Sequence, residues 1–179
     1  NAPATRGTLI SVAGATVVFH RGFALSRDLV TALRDGAITA LESPPAVYEM
    51  LLRDSAFRRD GLPQLTYAGM NGDKPRPSML AGLRAILPQA EIVVRYGITE
   101  VAGPIARLVH PAHRPIGRVD SCGIPSPWLD LKIVDDQGRE LPRGAVGRVV
   151  LRPGVMMSRV TEFGAELVRE QNPAVQHDT

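Results

Sequence analysis

The densest run of chemistry-bearing side chains in the sequence is Tyr96-Gly97-Ile98-Thr99-Glu100. It directly follows Glu91 to Arg95, EIVVR, whose apolar run predicts a buried strand. In open α/β sheets, ligands bind outside the carboxyl ends of the strands. Glycine there permits a sharp turn and a close approach of backbone to ligand. A threonine hydroxyl can donate to a phosphate oxygen. A glutamate carboxylate suits Mg2+, a hard cation that takes oxygen ligands and bridges to phosphate. A tyrosine ring offers a flat apolar face to a nucleobase. The same five residues also fit an ordinary strand-to-loop turn whose glutamate points to water.

Other reactive side chains carry less. His110 and His113 are three apart, but Pro111 argues against a helix there and no acid or cysteine adjoins them. A zinc site needs further ligands, so both are read as surface histidines. Cys122 is the single cysteine, which excludes an internal disulfide and any CxxC module; it is read as an inert thiol. The fingerprints GxSxG, GxGxxG and GxxxxGK[ST] are absent, and with them the usual marks of hydrolase, Rossmann and P-loop sites. The net charge is only +3, without a basic run, so no nucleic-acid partner is expected. No apolar stretch reaches the ~20 residues of a membrane span. No signal peptide opens the chain, and a cytoplasmic location is expected.

The elements that must position these residues follow a clear grammar up to about residue 112. Val17 to Phe19 reads as a buried strand. Ser26 is a candidate N-cap for a helix carrying Leu29, Val30 and Leu33, with Gly36 as its stop. Ile38 to Leu41 reads as a strand, and a helix starts at Pro44-Pro45, where proline's missing N–H costs nothing. Leu65 to Tyr67 reads as a strand ending at Ala68-Gly69. A helix over Ser78 to Leu87 and the strand EIVVR follow. Alternation of strands and helices predicts an α/β fold with a parallel, doubly wound sheet over residues 1–112. Residues 113–157 lack helices; Pro115 to Val119, Leu129 to Asp135 and Val146 to Arg152 read as strands of a small barrel or meander. Residues 158–179 are expected as a tail, helical over 158–170 through Val160, Phe163 and Leu167.

The order of four segments resembles the adenylate-forming (AMP-binding) superfamily, in its acyl-CoA synthetase branch. Ser43-Pro44-Pro45-Ala46-Val47-Tyr48 resembles the family's VPP helix start. Tyr67-Ala68-Gly69 resembles its glycine-rich strand end, and Tyr96 to Glu100 matches its YGxTE motif. Ser121-Cys122-Gly123-Ile124-Pro125-Ser126-Pro127, with the β-rich stretch beyond, resembles its SVGxPxP segment. Ile98 stands where peptide synthetase domains usually carry proline, which favours the acyl-CoA branch. Arg148 stands where the family commonly has glutamate. Asn71-Gly72-Asp73 departs from the usual Ala-Pro.

The resemblance implies an ATP-dependent ligase. A carboxylic acid is activated as acyl-AMP with loss of pyrophosphate, and coenzyme A takes the acyl group. ATP/AMP, Mg2+ and coenzyme A would be its cofactors and co-substrate. Ala68, Gly69, Tyr96, Gly97 and Thr99 would bind nucleotide, Thr99 and Glu100 would be catalytic, and Glu100 would hold the metal. The resemblance covers residues 8–157. The family's phosphate loop, TGD motif and C-terminal lysine are not among these residues, so the expectation is a fragment of the large N-terminal domain, inactive alone. The alternative is a non-catalytic binding module that forms a homodimer through exposed sheet edges.

Overall fold

A computed structural model describes residues 14–18, 26–101, 103–153, 156–161, 164–168 and 175–177. They form two compact units. One holds the described residues up to Tyr96 together with Arg107–Gly123; the other holds Gly97–Ala106 and the described residues from Ile124 onward. The chain thus crosses between units after Tyr96, Ala106 and Gly123, not once near residue 112.

The first unit begins with α1 (Ser26–Asp35), which buries Leu29, Val30 and Leu33. Ser26 is the first helical residue, and its hydroxyl donates to Asp54 Oδ2 at 3.0 Å. The helix closes through Ala37 N–H to Arg34 O and Ile38 N–H to Leu33 O, both 3.0 Å. The left-handed residue of that turn is Ala37, at φ 47°, not the expected Gly36. Strand β1 is Ala40–Ser43, two residues later than predicted, because the turn consumes Ile38.

Helix α2 (Pro45–Arg53) starts on its proline as expected and buries Tyr48 and Leu51. Asp54 caps α3 (Ser55–Asp60), accepting from Ala56 N–H at 2.9 Å and Phe57 N–H at 3.1 Å. Strand β2 (Tyr67–Met70), helix α4 (Pro77–Ile86), strand β3 (Glu91–Tyr96) and strand β4 (Ala106–His110) complete the unit.

Strands β1, β2, β3 and β4 are neighbours in that order, and β1, β2 and β3 run parallel. Register pairs Leu41 with Ala68 and Ala68 with Ile92. Ala68, Met70 and Ile92 pack into one apolar core with Leu29, Tyr48, Phe57 and Leu83 from the four helices. Alternation puts Glu42, Gly69 and Val93 on the opposite face. Arg84 ties the end of α4 to β4: Nη1 donates to Ala90 O at 2.7 Å and Nη2 to His110 O at 3.0 Å.

The second unit contains β5 (Ile124–Pro125), β6 (Leu129–Val134), β7 (Arg148–Pro153), β8 (Met156–Thr161), β9 (Gly164–Val168) and β10 (Val175–His177). The antiparallel order is β10-β7-β6, with Leu131 opposite Leu151, and β8 pairs with β9. This is the α/β sheet followed by a small β-rich part that the sequence predicts.

Three elements differ from expectation. Val17 and Val18 are not in a strand, and Val18 is 62% exposed; Phe19 lies outside the described residues. Residues 115–119 form no strand, since Pro115 lacks a donor and Gly117 weakens extended pairing. Instead, Ile116 and Val119 pack on the helical core. The helix expected over 158–170 is replaced by β8 and β9. Val160 and Thr161 favour strand, and Gly164 is a poor helix residue.

Candidate active site

The carboxyl ends of β2 and β3 carry the first group of expected site residues. Ala68 and Gly69 lie inside β2, which runs on to Met70. Ala68 is fully buried in the core, so only its backbone can face a ligand. Gly69, also buried, presents no side chain to the opposite face. A Cβ there would sit 2.2 Å from Glu42 Oε2 and 2.7 Å from Tyr67 Cε1, so an alanine would oblige those side chains to shift. From the core side, the buried Tyr48 hydroxyl lies 2.8 Å from Leu41 O and 3.0 Å from Gly69 O, bridging β1 and β2. Burial pushes that hydroxyl's pKa up, with Glu42 and Tyr67 adding to the effect. Tyr96 ends β3 half-buried; burial, then Cys122, raises its pKa.

In the second unit, Gly97 to Val101 form the loop that holds Thr99 and Glu100. Both side chains are exposed, in a turn closed by Val101 N–H to Ile98 O at 3.3 Å. Gly97 has no left-handed φ, and a Cβ there would make only ordinary contact, 3.5 Å from Gly103 O. Gly103 does need its freedom, with φ 97° and the Trp128 ring 3.3 Å from where a Cβ would stand. Ser126 anchors the far end. Its N–H donates to Ile105 O at 2.8 Å and its hydroxyl to Pro104 O at 2.6 Å. Thr99 and Glu100 thus sit on a short loop pinned by buried Val101 and Ile105.

The remaining candidates separate cleanly. His110 is buried in β4, contrary to its reading as a surface residue, because alternation turns it inward; His113 is exposed at φ 56°. Cys122 is an exposed free thiol. Among the described residues, no three His, Cys, Asp or Glu side chains gather as a metal cage. Glu100 is an exposed carboxylate on the turn 98–101, and Mg2+ is commonly held by one or two carboxylates together with substrate phosphates. No helix of the described residues is long and apolar enough to cross a membrane.

Sequence reasoning missed Glu42, Arg95 and Ser126. Glu42 and Arg95 form an ion pair at 3.0 Å on the face of the sheet that Gly69 shares. Period-two alternation could have placed each on a face, but not shown that β1 and β3 flank β2. The two departures from family pattern acquire partners. Asn71 Nδ2 donates to Glu42 Oε1 at 3.0 Å. Arg148 Nη2 donates to Asp135 O at 3.2 Å, bracing the β6–β7 turn.

The fold is that of adenylate-forming enzymes. A luciferase-like enzyme from the mealworm Zophobas morio superposes with a TM-score of 0.73 at 23% identity, over 92% of this chain and 37% of that one. An anthranilate CoA ligase in complex with anthranoyl-AMP superposes at 0.67 and 23%, over 78% and 26%. The chain belongs to the AMP-binding enzyme family, whose model matches residues 7–159. It is 35% identical to a fatty acid–[acyl-carrier-protein] ligase of Streptomyces coeruleorubidus over 78% of this chain and 27% of the relative. It is 31% identical to a human mitochondrial acyl-coenzyme A synthetase over 78% and 23%. The chain therefore spans about a quarter of the length of these relatives.

Proposed function

We propose that this chain is the nucleotide-handling part of an ATP-dependent acid–thiol ligase. The observation that carries the reading is the Thr99–Glu100 turn: a hydroxyl and a carboxylate, both exposed, directly after the third parallel strand. The family match and the CoA-ligase relatives support it.

In the first step, a carboxylate oxygen of the acid attacks the α-phosphorus of ATP. The bond to pyrophosphate breaks, and acyl-AMP forms. In the second, the thiolate of coenzyme A attacks the acyl carbonyl and AMP leaves with the bonding pair. Charge shifts among phosphate oxygens, so the protein's work is positioning and electrostatic stabilisation. Thr99 would donate to the α-phosphate. Glu100 would hold Mg2+, which when bound would offset phosphate charge. Tyr96 and the Ala68–Gly69 backbone would bind the adenine, and Gly97 would bind nucleotide through its backbone. ATP and coenzyme A fit a cytoplasmic setting.

The test is ATP–pyrophosphate exchange with a panel of carboxylic acids, on a protein of the relatives' length that contains this chain. Glu100→Gln is expected to lower exchange by about 10²–10³, the usual cost of losing one preorganised electrostatic group. Unchanged exchange in Glu100→Gln overturns the assignment. Residues 1–179 alone are expected to show no exchange. Hydroxamate trapping of the acyl-AMP, followed by addition of coenzyme A or a carrier protein, identifies the thiol acceptor.

A further inference from the structure

Thr99 and Glu100 stand on a loop whose two ends close on each other. A Cβ on Gly97 would stand 3.5 Å from Gly103 O and 3.8 Å from Pro104 Cα, so the chain leaves and returns through one neck. Inside the loop the turn is closed by Val101 N–H to Ile98 O at 3.3 Å, long for such a bond. Firmer holds come from a later segment. Ser126 is buried, and its hydroxyl donates to Pro104 O at 2.6 Å across 22 residues of chain. Its N–H donates to Ile105 O at 2.8 Å, and Leu129 N–H donates to Ser126 O at 3.1 Å, tying the neck to the start of β6. On Gly103, the Trp128 ring fills the space a side chain would take, 3.3 Å from the Cβ position. Trp128 is nevertheless 45% exposed, more open than a tryptophan placed for core packing.

Groups that meet a reacting phosphate work only when held in place, and a misplacement of about 1 Å can cost ~10²-fold in rate. The hold comes from neighbours that are themselves locked by packing and hydrogen bonds. We infer that Ser126 and Trp128 are positioning residues: they latch the neck of the loop and so fix where Thr99 and Glu100 meet phosphate and metal. They act through the loop backbone. This inference rests on the ligase reading above.

The test has two arms, both on the same longer protein. With no nucleotide or metal added, amide hydrogen exchange over residues 97–106 is expected to quicken in Ser126→Ala and Trp128→Ala, while β6 and β7 keep their rates. In ATP–pyrophosphate exchange, both variants are expected to raise the Mg2+ concentration for half-activation several-fold and to lower kcat by about 10–10²-fold, with KM for the acid unchanged. Ser126→Thr keeps the hydroxyl and is expected to restore both. In a Glu100→Gln background, Ser126→Ala is expected to cost less than about two-fold more, because residues that act through one another are not additive. Full multiplication of the two losses overturns the inference and leaves the ligase reading intact. So does an unchanged Mg2+ dependence, or hydrogen exchange over 97–106 at the wild-type rate, in both latch variants. If Ser126→Ala does not fold, Trp128→Ala alone and with Glu100→Gln carries the same comparison. No pyrophosphate exchange with any acid in the unmutated protein overturns the ligase reading, and the inference with it.

Discussion

The two units hold their site residues by different means. In the first, positions are set by groups far apart in sequence. Tyr48 reaches Leu41 and Gly69, Arg84 reaches His110, and Gly123 lies against the backbone of Arg107 and Leu108. In the second, the observed supports are more often local. Asp135 accepts from Gln137 N–H and Arg139 N–H, both at 2.9 Å, within one turn, although Ser126 still reaches back to Pro104 and Ile105. Glycine shows the contrast most directly. A Cβ at Gly123 would stand 1.9 Å from Arg107 O, whereas Gly138 and Gly144 have nothing within 4 Å. A substitution should therefore propagate through the first unit and stay local in the second.

The largest expected effect tests that contrast. Gly123→Ala meets both a left-handed φ of 92° and a backbone it cannot displace. Strain of about 1–3 kcal/mol and overpacking of about 1–3 kcal/mol together predict a loss of roughly 2–6 kcal/mol. Gly138→Ala, at φ 78° in open space, should cost only about 1–2 kcal/mol. Urea denaturation of the two variants measures the difference. Equal losses would break the comparison.

Next is Tyr48→Phe. It removes one oxygen and leaves the carbonyls of Leu41 and Gly69 without that partner inside the first unit. A loss of about 1–3 kcal/mol is expected. Because Gly69 supports the Glu42–Arg95 pair, the effect should also reach the sheet's polar face. Hydrogen exchange of β1 and β2 amides should quicken, with β6 and β7 unaffected. Uniform acceleration across both units would show that they do not respond separately.

Acid should also part the units. His110 is buried with Nε2 unpartnered, and burial followed by the nearby Arg84 charge lowers its pKa. The unfolded chain then binds that proton more readily than the folded one. The stabilisation is whole above the ordinary histidine pKa of about 6.5 and is lost as pH falls below it. Asp135, held low first by the Arg139 N–H, loses its contribution only as pH falls below about 3.9. Segment-resolved hydrogen exchange between pH 7 and 4.5 should show β4 weakening while β6 and β7 hold. His110→Phe should flatten the β4 response, and an unchanged pH slope in that variant would remove His110 as its source.

The same division governs how much could be read in advance. Helix α2 was legible through Pro45 and the spacing of its apolar residues, and the Asp135 to Gly138 turn through its residue types, because both are local. β1 and β2 were found but placed about two residues early. Apolar content marks a strand, while its limits are set by register with neighbours. Residues 158–170 misled because Val160, Phe163 and Leu167 fit a helical stripe; the pairing of β8 with β9 decided otherwise. Tyr96, Thr99 and Glu100 were legible as a motif. The Glu42–Arg95 pair was not, since it depends on β2 lying between β1 and β3.

The smallest expected effect lies where the first unit is itself built from a local turn. The turn that closes helix α1 carries Ala37 at φ 47°, although Gly36, one residue earlier, is the stop expected from sequence. A left-handed alanine costs about 1–2 kcal/mol relative to the right-handed form, a cost glycine avoids. Glycine also enlarges the freedom of the unfolded chain, which takes back part of the gain. Ala37→Gly is therefore expected to stabilise the protein by about 0.5–1 kcal/mol. Gly36→Ala should do the reverse, because a Cβ at Gly36 would lie 2.8 Å from Ala32 O. Thermal unfolding of both variants gives the sign directly. A destabilised Ala37→Gly would mean that the alanine methyl contributes packing greater than the strain it carries.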